Sequence, residues 1–356
     1  MGGPRVVVLA VLLALVAGVA LMNVPAGAVG SDPRSEADWI LSAQLPSGAI
    51  ATHADQTFVS PYLAAYAAVG LSDATTMTKD PRYAEAAWRS LEWYGSVMDA
   101  NGYVTDYRIS NGNLVSTGSA DSTDAYAGMF LVALDAVYRA APNVSRLGAI
   151  APKVQAAVSA VRSTQRADGL TGAKPSYMVA YLMDQAEAHA GLVAATRLAY
   201  TLGNRSLARA ARDSADRLQA GIDQLWNPTT GAYDWASHPD GVHQPTNWSQ
   251  LYPDAVSQLW AVRFGVASHD RALAVLGRFL QTHPHADNPT GADLINGTVG
   301  PAGYWPGLGL ALRSVDPTAP GRFLAGTRNQ AAATSRAWPY SVQTAADSIE
   351  LIAAGA

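Results

Sequence analysis

The sequence predicts an all-α chain folded as an (α/α)6 barrel, a toroid of six helical hairpins with short β-hairpins in the loops at one rim. Three observations predict it. After Ser31 the apolar residues recur with helical period almost throughout, in about twelve segments. Pro stands at the first helical position of many of them, as in Asp32-Pro33, Ser60-Pro61 and Asp80-Pro81. The connections alternate between long and tight, as they must when hairpins share one elaborated end.

In chain order, the first helix follows Asp32-Pro33 through Leu41, and the second runs from Pro61 through Leu71. The third spans Pro81 to Met98, and the fourth Asp121 to about Ala141. The fifth is expected from Pro152 to Arg166, the sixth from Pro175 to Leu202 and the seventh from Arg205 to Trp226. Tyr252-Pro253-Asp254 opens the eighth, His269 to Thr282 is the ninth, and Tyr304-Trp305-Pro306 opens the tenth. Asp316-Pro317 starts the eleventh and Trp338-Pro339-Tyr340 the twelfth. The odd-to-even connections are long and rich in Gly, Asn, Asp and aromatics. Asn101 to Asn113, with its Asn111-Gly112 turn signal, and Asn227 to Trp235 read as β-hairpins. The even-to-odd connections, such as Ala141-Pro142-Asn143 and Leu202-Gly203-Asn204, are tight. Even segments such as Leu63 to Leu71, Met129 to Leu134 and Leu308 to Leu312 are the more apolar, so they are expected to form the inner ring. The unequal long loops and the lack of a fixed period argue against a helical repeat array.

Composition bounds the function. The chain of 356 residues is 49% hydrophobic and 15% charged, a globular balance with a net charge of -4. That charge provides no polybasic footprint, so nucleic acid is not an expected partner. Residues 1–28 read as a signal peptide: Arg5 precedes an uncharged apolar run from Val6 to Met22, followed by Pro25 and Ala26-Gly27-Ala28. An uncleaved anchor is the alternative. Residues 29–356 are expected to be a single secreted domain, monomeric and free of the membrane after cleavage. The chain has no cysteine, so its stability rests on a large core rather than disulfides.

The starts of the even helices carry acids and aromatics. Before the second lie His53 and Asp55, with Tyr62 just inside; at the fourth stand Asp121, Asp124 and Tyr126. The sixth carries Tyr177, Tyr181 and Asp184 as one stripe, with Gln185 beside it. The eighth offers Trp248, Tyr252 and Asp254, the tenth Trp305, and the twelfth Trp338 and Tyr340. In a barrel these starts converge on one rim, as a cleft walled by aromatics over several carboxylates. Such a cleft suits a sugar, whose flat apolar faces stack on Trp and Tyr and whose hydroxyls bond to Asp, Gln and His. Each acid also has a plain structural role, because acids cap helix starts and meet the positive dipole end. Repetition along the chain is what points to function.

This twelve-helix pattern resembles the six-hairpin glycosidase superfamily over essentially the whole mature chain. The stretch Ser119-Ala120-Asp121-Ser122-Thr123-Asp124-Ala125-Tyr126-Ala127 is loosely similar to the acidic signature of glycoside hydrolase family 8. By position the resemblance implies Asp55 as proton donor, Asp121 or Asp124 as the sugar-holding group, and Asp124 or Asp254 as base. That family uses Glu as its acid, and its signature spacing differs by one residue.

The leading expectation is a secreted glycoside hydrolase acting on a neutral or weakly charged glycan, with Asp55 and Asp124 as the cleaving pair. Ala54, Phe58 and Val59 offer Asp55 an apolar setting that would keep it protonated. Asp121 and Asp254 would support this pair, and Asp184 with Asp254 is the next candidate pair. No cofactor or metal is expected: His283-Pro284-His285-Ala286-Asp287 reads as a solvated loop. A polysaccharide lyase on the same barrel would need a cationic cluster, for which Arg108, Arg263, His53 and His189 are the available groups. A non-catalytic glycan-binding envelope protein would keep the aromatics without mutually close, perturbed acids.

Overall fold

Short polar caps and prolines decide where the helices begin. The computed structural model describes residues 32–296, 300–301 and 304–356; the segment read as a signal peptide lies outside them. The helices are α1 Arg34–Ser42, α2 Pro61–Thr78, α3 Pro81–Val97, α4 Asp124–Ala140, α5 Val144–Ser163 and α6 Leu182–Thr201. They continue with α7 Arg205–Gln224, α8 Val256–Arg263, α9 His269–Thr282, α10 Leu308–Leu312, α11 Ala319–Thr334 and α12 Val342–Ala353. The side chains of Asp80, Asn143, Asn204 and Ser341 accept hydrogen bonds from first-turn amides of α3, α5, α7 and α12.

The even helices form a closed inner ring: α2 packs on α4, α4 on α6, α6 on α8, α8 on α10, α10 on α12, and α12 back on α2. The odd helices lie outside: α1 packs on α12 and α2, α3 on α2 and α4, α5 on α4 and α6, α7 on α6, α9 on α8, and α11 on α10 and α12. This is the (α/α)6 barrel that the alternating connections predict. Small residues let the inner helices touch. At the α4–α6 crossing a Cβ on Gly128 would stand 2.8 Å from the Glu187 carbonyl oxygen, and one on Gly191 would stand 2.5 Å from Gly128 Cα. Asp32 to Ala356 form one compact unit.

Several helix starts differ from the sequence expectation, each for a local reason. α5 begins at Val144 and carries Pro152 inside, because Asn143 caps the earlier start. The proline leaves the carbonyl of exposed Gly148 without its helical partner, which water can replace on this outer helix. α4 begins at Asp124, not Asp121, because the preceding residues are drawn into loop pairing: Asp106 N–H donates to the Ser119 carbonyl and Thr123 N–H to the Ala173 carbonyl. α6 begins at Leu182 rather than Pro175. The residues before it form a strand, β4 Ala180–Tyr181, which joins a small antiparallel sheet described below. Ahead of α8, Leu251–Ala255 form a wide π-type turn in which Tyr252 is extended (φ -120°, ψ 133°).

The elaborated ends carry the small sheets. β1 Phe58–Val59 pairs with β2 Tyr107–Ser110, which pairs with β3 Asn113–Ser116 across Asn111-Gly112. Both turn residues have positive φ, as the Asn-Gly signal requires. β5 Trp226–Asn227 pairs with β6 Ala232–Tyr233. β4 pairs with β7 Ala236–Ser237, and β7 with β8 His243–Gln244. Two odd helices end in the same device. Gln44 after α1 bridges to Ile50, and Gln165 after α5 bridges to Thr171. Each turn closes on a glycine at positive φ, Gly48 or Gly169, pressed against the next outer helix. A Cβ on Gly169 would stand 2.2 Å from the Arg217 carbonyl oxygen.

The inner-ring crossing makes a direct prediction. Gly128→Val should destabilise the fold by about 1–3 kcal/mol, the usual cost of overpacking, and lower the urea midpoint with little change in slope. An unchanged midpoint would show that α4 and α6 can move apart freely.

Candidate active site

The first acids come from the stretch into α4. Asp121 is exposed in the turn before the helix, and Asp124, its first residue, is fully buried. Asp124 accepts hydrogen bonds from Thr171 Oγ1 (2.7 Å) and from the Ala125 amide (2.9 Å). Thr171 is itself pinned by buried Gln185, whose Oε1 takes the Thr171 amide (2.7 Å) and whose Nε2 donates to the Thr171 carbonyl (2.9 Å). Burial pushes the Asp124 carboxyl up to about 6, and the Thr171 hydroxyl only partly offsets this.

α6 brings the rest. Asp184 lies in its first turn, half-buried, and its carboxyl is held well above the usual range, first by desolvation and then by the charges of Asp124, Glu187 and Asp121. Those four groups therefore form one cluster. Glu187 is fully buried; desolvation raises its carboxyl to about 7 against the hydrogen bonds that favour the anion. Its Oε1 accepts from Tyr62 (2.7 Å), Tyr66 (2.5 Å) and Trp260 Nε1 (2.9 Å). Asp106, on the loop before β2, borders Asp121; it accepts from Tyr126 Oη (2.9 Å), and burial raises its carboxyl.

Aromatic rings wall this cluster. Tyr62 stacks on Tyr126 with centroids 5.3 Å apart. Half-exposed Tyr252 stacks on Trp305 at 5.2 Å, and its hydroxyl is pushed up to about 12, first by desolvation and then by the charges of Asp121, Asp184 and Glu187. Tyr177 and Tyr181 join hydroxyls at 2.9 Å, and Tyr181 stacks on Trp235 at 5.9 Å. Asp121 and Asp184 also raise the pKa of Tyr181, after desolvation and Tyr177. The cleft therefore lies where the starts of α2, α4, α6 and α8 meet.

Other residues singled out by sequence occupy other places. Asp55 is exposed in the loop before α2; its carboxylate accepts from the Thr57 amide (3.2 Å), its one hydrogen bond among the described residues. The apolar setting expected for it is absent, because the chain turns it outward while Val59 points inward. His53 Nδ1 donates to the Tyr340 carbonyl (2.9 Å). Tyr340 is a core residue: its hydroxyl donates to Glu36 and its ring meets Trp39 edge-on. Trp248 is buried, with its indole N–H reaching the Thr230 carbonyl, whereas Trp338 is 60% exposed. Buried Asp254 accepts from the Asn247 amide (2.7 Å) and so ties the loop ahead of α8. Glu187, Asp106, Trp235 and Trp260 were not among the sequence candidates. Asp184-Gln185-Ala186-Glu187 repeats the three-residue acid spacing of Asp121 and Asp124, and this signal could have found Glu187.

A cavity of about 530 Å³ opens at the other mouth of the barrel, at the C-terminal ends of the even helices, lined by residues such as Asp73, Arg263, Arg313 and Glu350. It contains none of the clustered acids, so the candidate site is placed by its carboxylates and aromatics rather than by volume.

No protein-family model matches the sequence, and no curated protein matches it by sequence. Solved structures do match the fold. An uncharacterized conserved protein from Thermus thermophilus aligns with a TM-score of 0.67 at 12% identity, covering 90% of this chain and 99% of that one. The GH63 mannosylglycerate hydrolase of the same organism, in complex with glucose, aligns with a TM-score of 0.65 at 12% identity, with coverage of 90% and 99%. The GH76 alpha-mannanase of Bacteroides thetaiotaomicron gives 0.59 at 12% identity, with coverage of 90% and 94%. The chain thus has the fold of the six-hairpin glycosidases.

The raised carboxyls set a pH dependence. Asp124 at about 6 and Glu187 at about 7 hold protons in the folded state that the unfolded chain releases near its ordinary values of 3.8 and 4.5. Between those limits the folded state binds more protons, so stability falls as pH rises. The melting temperature should drop from about pH 5 to about pH 8, and Asp184→Asn should raise it at the higher pH but hardly at the lower. Calorimetry showing a flat or rising profile would contradict the buried, mutually repelling arrangement.

Proposed function

We propose that the protein is an exported glycoside hydrolase that cleaves an O-glycosidic bond in a neutral or weakly charged glycan. One observation carries the reading: half-buried Asp184, whose carboxyl is held above its ordinary range by burial and neighbouring acids, shares a cleft with exposed Asp121 between Tyr and Trp faces. The Asp184 proton passes to the leaving glycosidic oxygen as the C–O bond breaks. Asp121 either takes a proton from the water that bonds the anomeric carbon, or itself bonds that carbon, and water deprotonated by the Asp184 carboxylate then breaks the Asp121 ester to release the sugar; separations of roughly 6.5–9.5 Å and 5–5.5 Å distinguish these modes. Asp124, buried and bonded to Thr171, is suited to charge tuning and to fixing the loop. Tyr252, Trp305, Tyr177 and Tyr181 would stack against sugar faces.

Charge favours a neutral substrate. Four acids gather at the cleft, whereas Arg263 lies buried in ion pairs with Asp347 (2.7 Å) and Glu350 (2.9 Å), and Arg108 is exposed on β2. A lyase would need such cations beside the substrate carboxylate. Perturbed, mutually close acids likewise favour an enzyme over a silent binder. The resemblance of fold to proteins named for mannosylglycerate and alpha-mannan makes mannosides the first substrates to try. Export rests on the pattern of residues 1–28.

The test is incubation of the purified protein with bacterial, plant and fungal polysaccharides, alpha-mannans included, with reducing-end detection. Asp184→Asn and Asp121→Asn should each lower kcat by about 10²–10⁴-fold with the helical signal intact, as for loss of an acid or base. Asp55→Asn, outside the cluster, should keep near-native turnover. If Asp55→Asn abolishes hydrolysis while Asp184→Asn does not, the proton donor is the loop residue and the role given to Asp184 fails.

A further inference from the structure

Glu187 is used by nothing in this scheme, yet it is the most heavily bonded acid of the cluster. It lies three residues after Asp184 on α6, on the same face and one turn deeper. Two inner helices besides its own converge on one of its oxygens: Tyr62 and Tyr66 from α2 and Trp260 from α8 all donate to Oε1. The other oxygen, Oε2, is buried with no hydrogen-bond partner among the described residues. Three donors on one oxygen, with no acceptor for a carboxyl proton, favour the anion and offset part of the burial that disfavours it.

The charged and titratable groups around it and around Asp184 come from every neighbouring element. α2 presents Tyr62 and Tyr66, the entry to α4 presents Asp121 and Asp124, the turn before α8 presents Tyr252, and α8 presents Arg263. Arg263 is engaged by Asp347 and Glu350. On α6 itself Asp184 lies one turn above, and His189 feels Asp216 of α7. A charge fixed this way in a dry interior acts strongly on a carboxyl one turn distant.

We propose that Glu187 is a positioning residue that acts on the reaction through Asp184, as the fixed negative charge against which the Asp184 proton is held when the medium turns alkaline. This deepens the hydrolase reading, since it takes Asp184 as the proton donor. After desolvation, the charges of Asp124, Glu187 and Asp121 hold the Asp184 carboxyl well above its ordinary range, so Glu187 is one of the charges against which the Asp184 proton must leave.

The experiment is a ¹³C NMR titration of the protein labelled at Asp and Glu carboxyls, with Asp184→Asn and Glu187→Gln assigning the signals. In Glu187→Gln the Asp184 midpoint should fall by about one pH unit or more, while the Asp124 step stays in place. A purely structural Glu187 would lower the melting temperature and leave the Asp184 midpoint unmoved, and that result overturns the proposal. Should Glu187→Gln fail to fold, Tyr66→Phe removes one donor and keeps the ring. The Glu187 midpoint should then rise and Asp184 should begin to ionise at lower pH; an unchanged Asp184 again overturns the inference. The titration needs no substrate, so a protein that releases no sugar defeats the hydrolase reading separately, with the coupling still measurable.

Discussion

Confining several acids inside a ring of six apolar helices is the constraint on which the rest of this structure depends. Asp124 and Glu187 are fully removed from water and Asp184 partly so, and each would be strongly disfavoured as an anion without compensation. The fold supplies that compensation from different helices. Thr171, itself fastened by Gln185, serves Asp124, and the Tyr62, Tyr66 and Trp260 donors serve Glu187. Each of these bonds also joins two elements, so the network that tolerates the charges helps hold the inner ring in register.

Close helix approach is the other half of the same arrangement. Gly128 and Gly191 allow α4 and α6 to meet nearly backbone to backbone, which sets the α4 and α6 acids within electrostatic reach of each other. Outside the ring, the turns closed by Gly48 and Gly169 fasten two of the rim loops onto the next outer helix. The second of these turns leads into the stretch that carries Tyr177 and Tyr181, so part of the aromatic wall is fastened to the outer layer.

The architecture was largely legible in the sequence. Periodicity, prolines and alternating connections marked the hairpins, and the Asn111-Gly112 turn marked the largest rim hairpin. The more apolar character of the even segments foretold the inner ring. Local competition was harder to read: Asn143 captured the start of α5 ahead of Pro152, and the strand at Ala180–Tyr181 took residues that looked helical. The candidate site was legible in part. Asp121, Asp124, Asp184, Tyr62, Tyr126 and Tyr252 stood out and gather in one place, whereas Asp55, Tyr340 and Trp248 shared the same sequence position at even-helix starts and face elsewhere.

Sequence by itself determined the kind of element, its order and which helices turn inward, because these follow from local propensity, capping and the repeat of apolar residues along one chain segment. Only the tertiary structure decided which acids act on one another. Whether a carboxyl is solvated, as for Asp55, or pressed against others, as for Asp184 and Glu187, depends on distances between residues far apart in the chain and on the water excluded between them. Those distances arise when the ring closes, and no single stretch of sequence contains them.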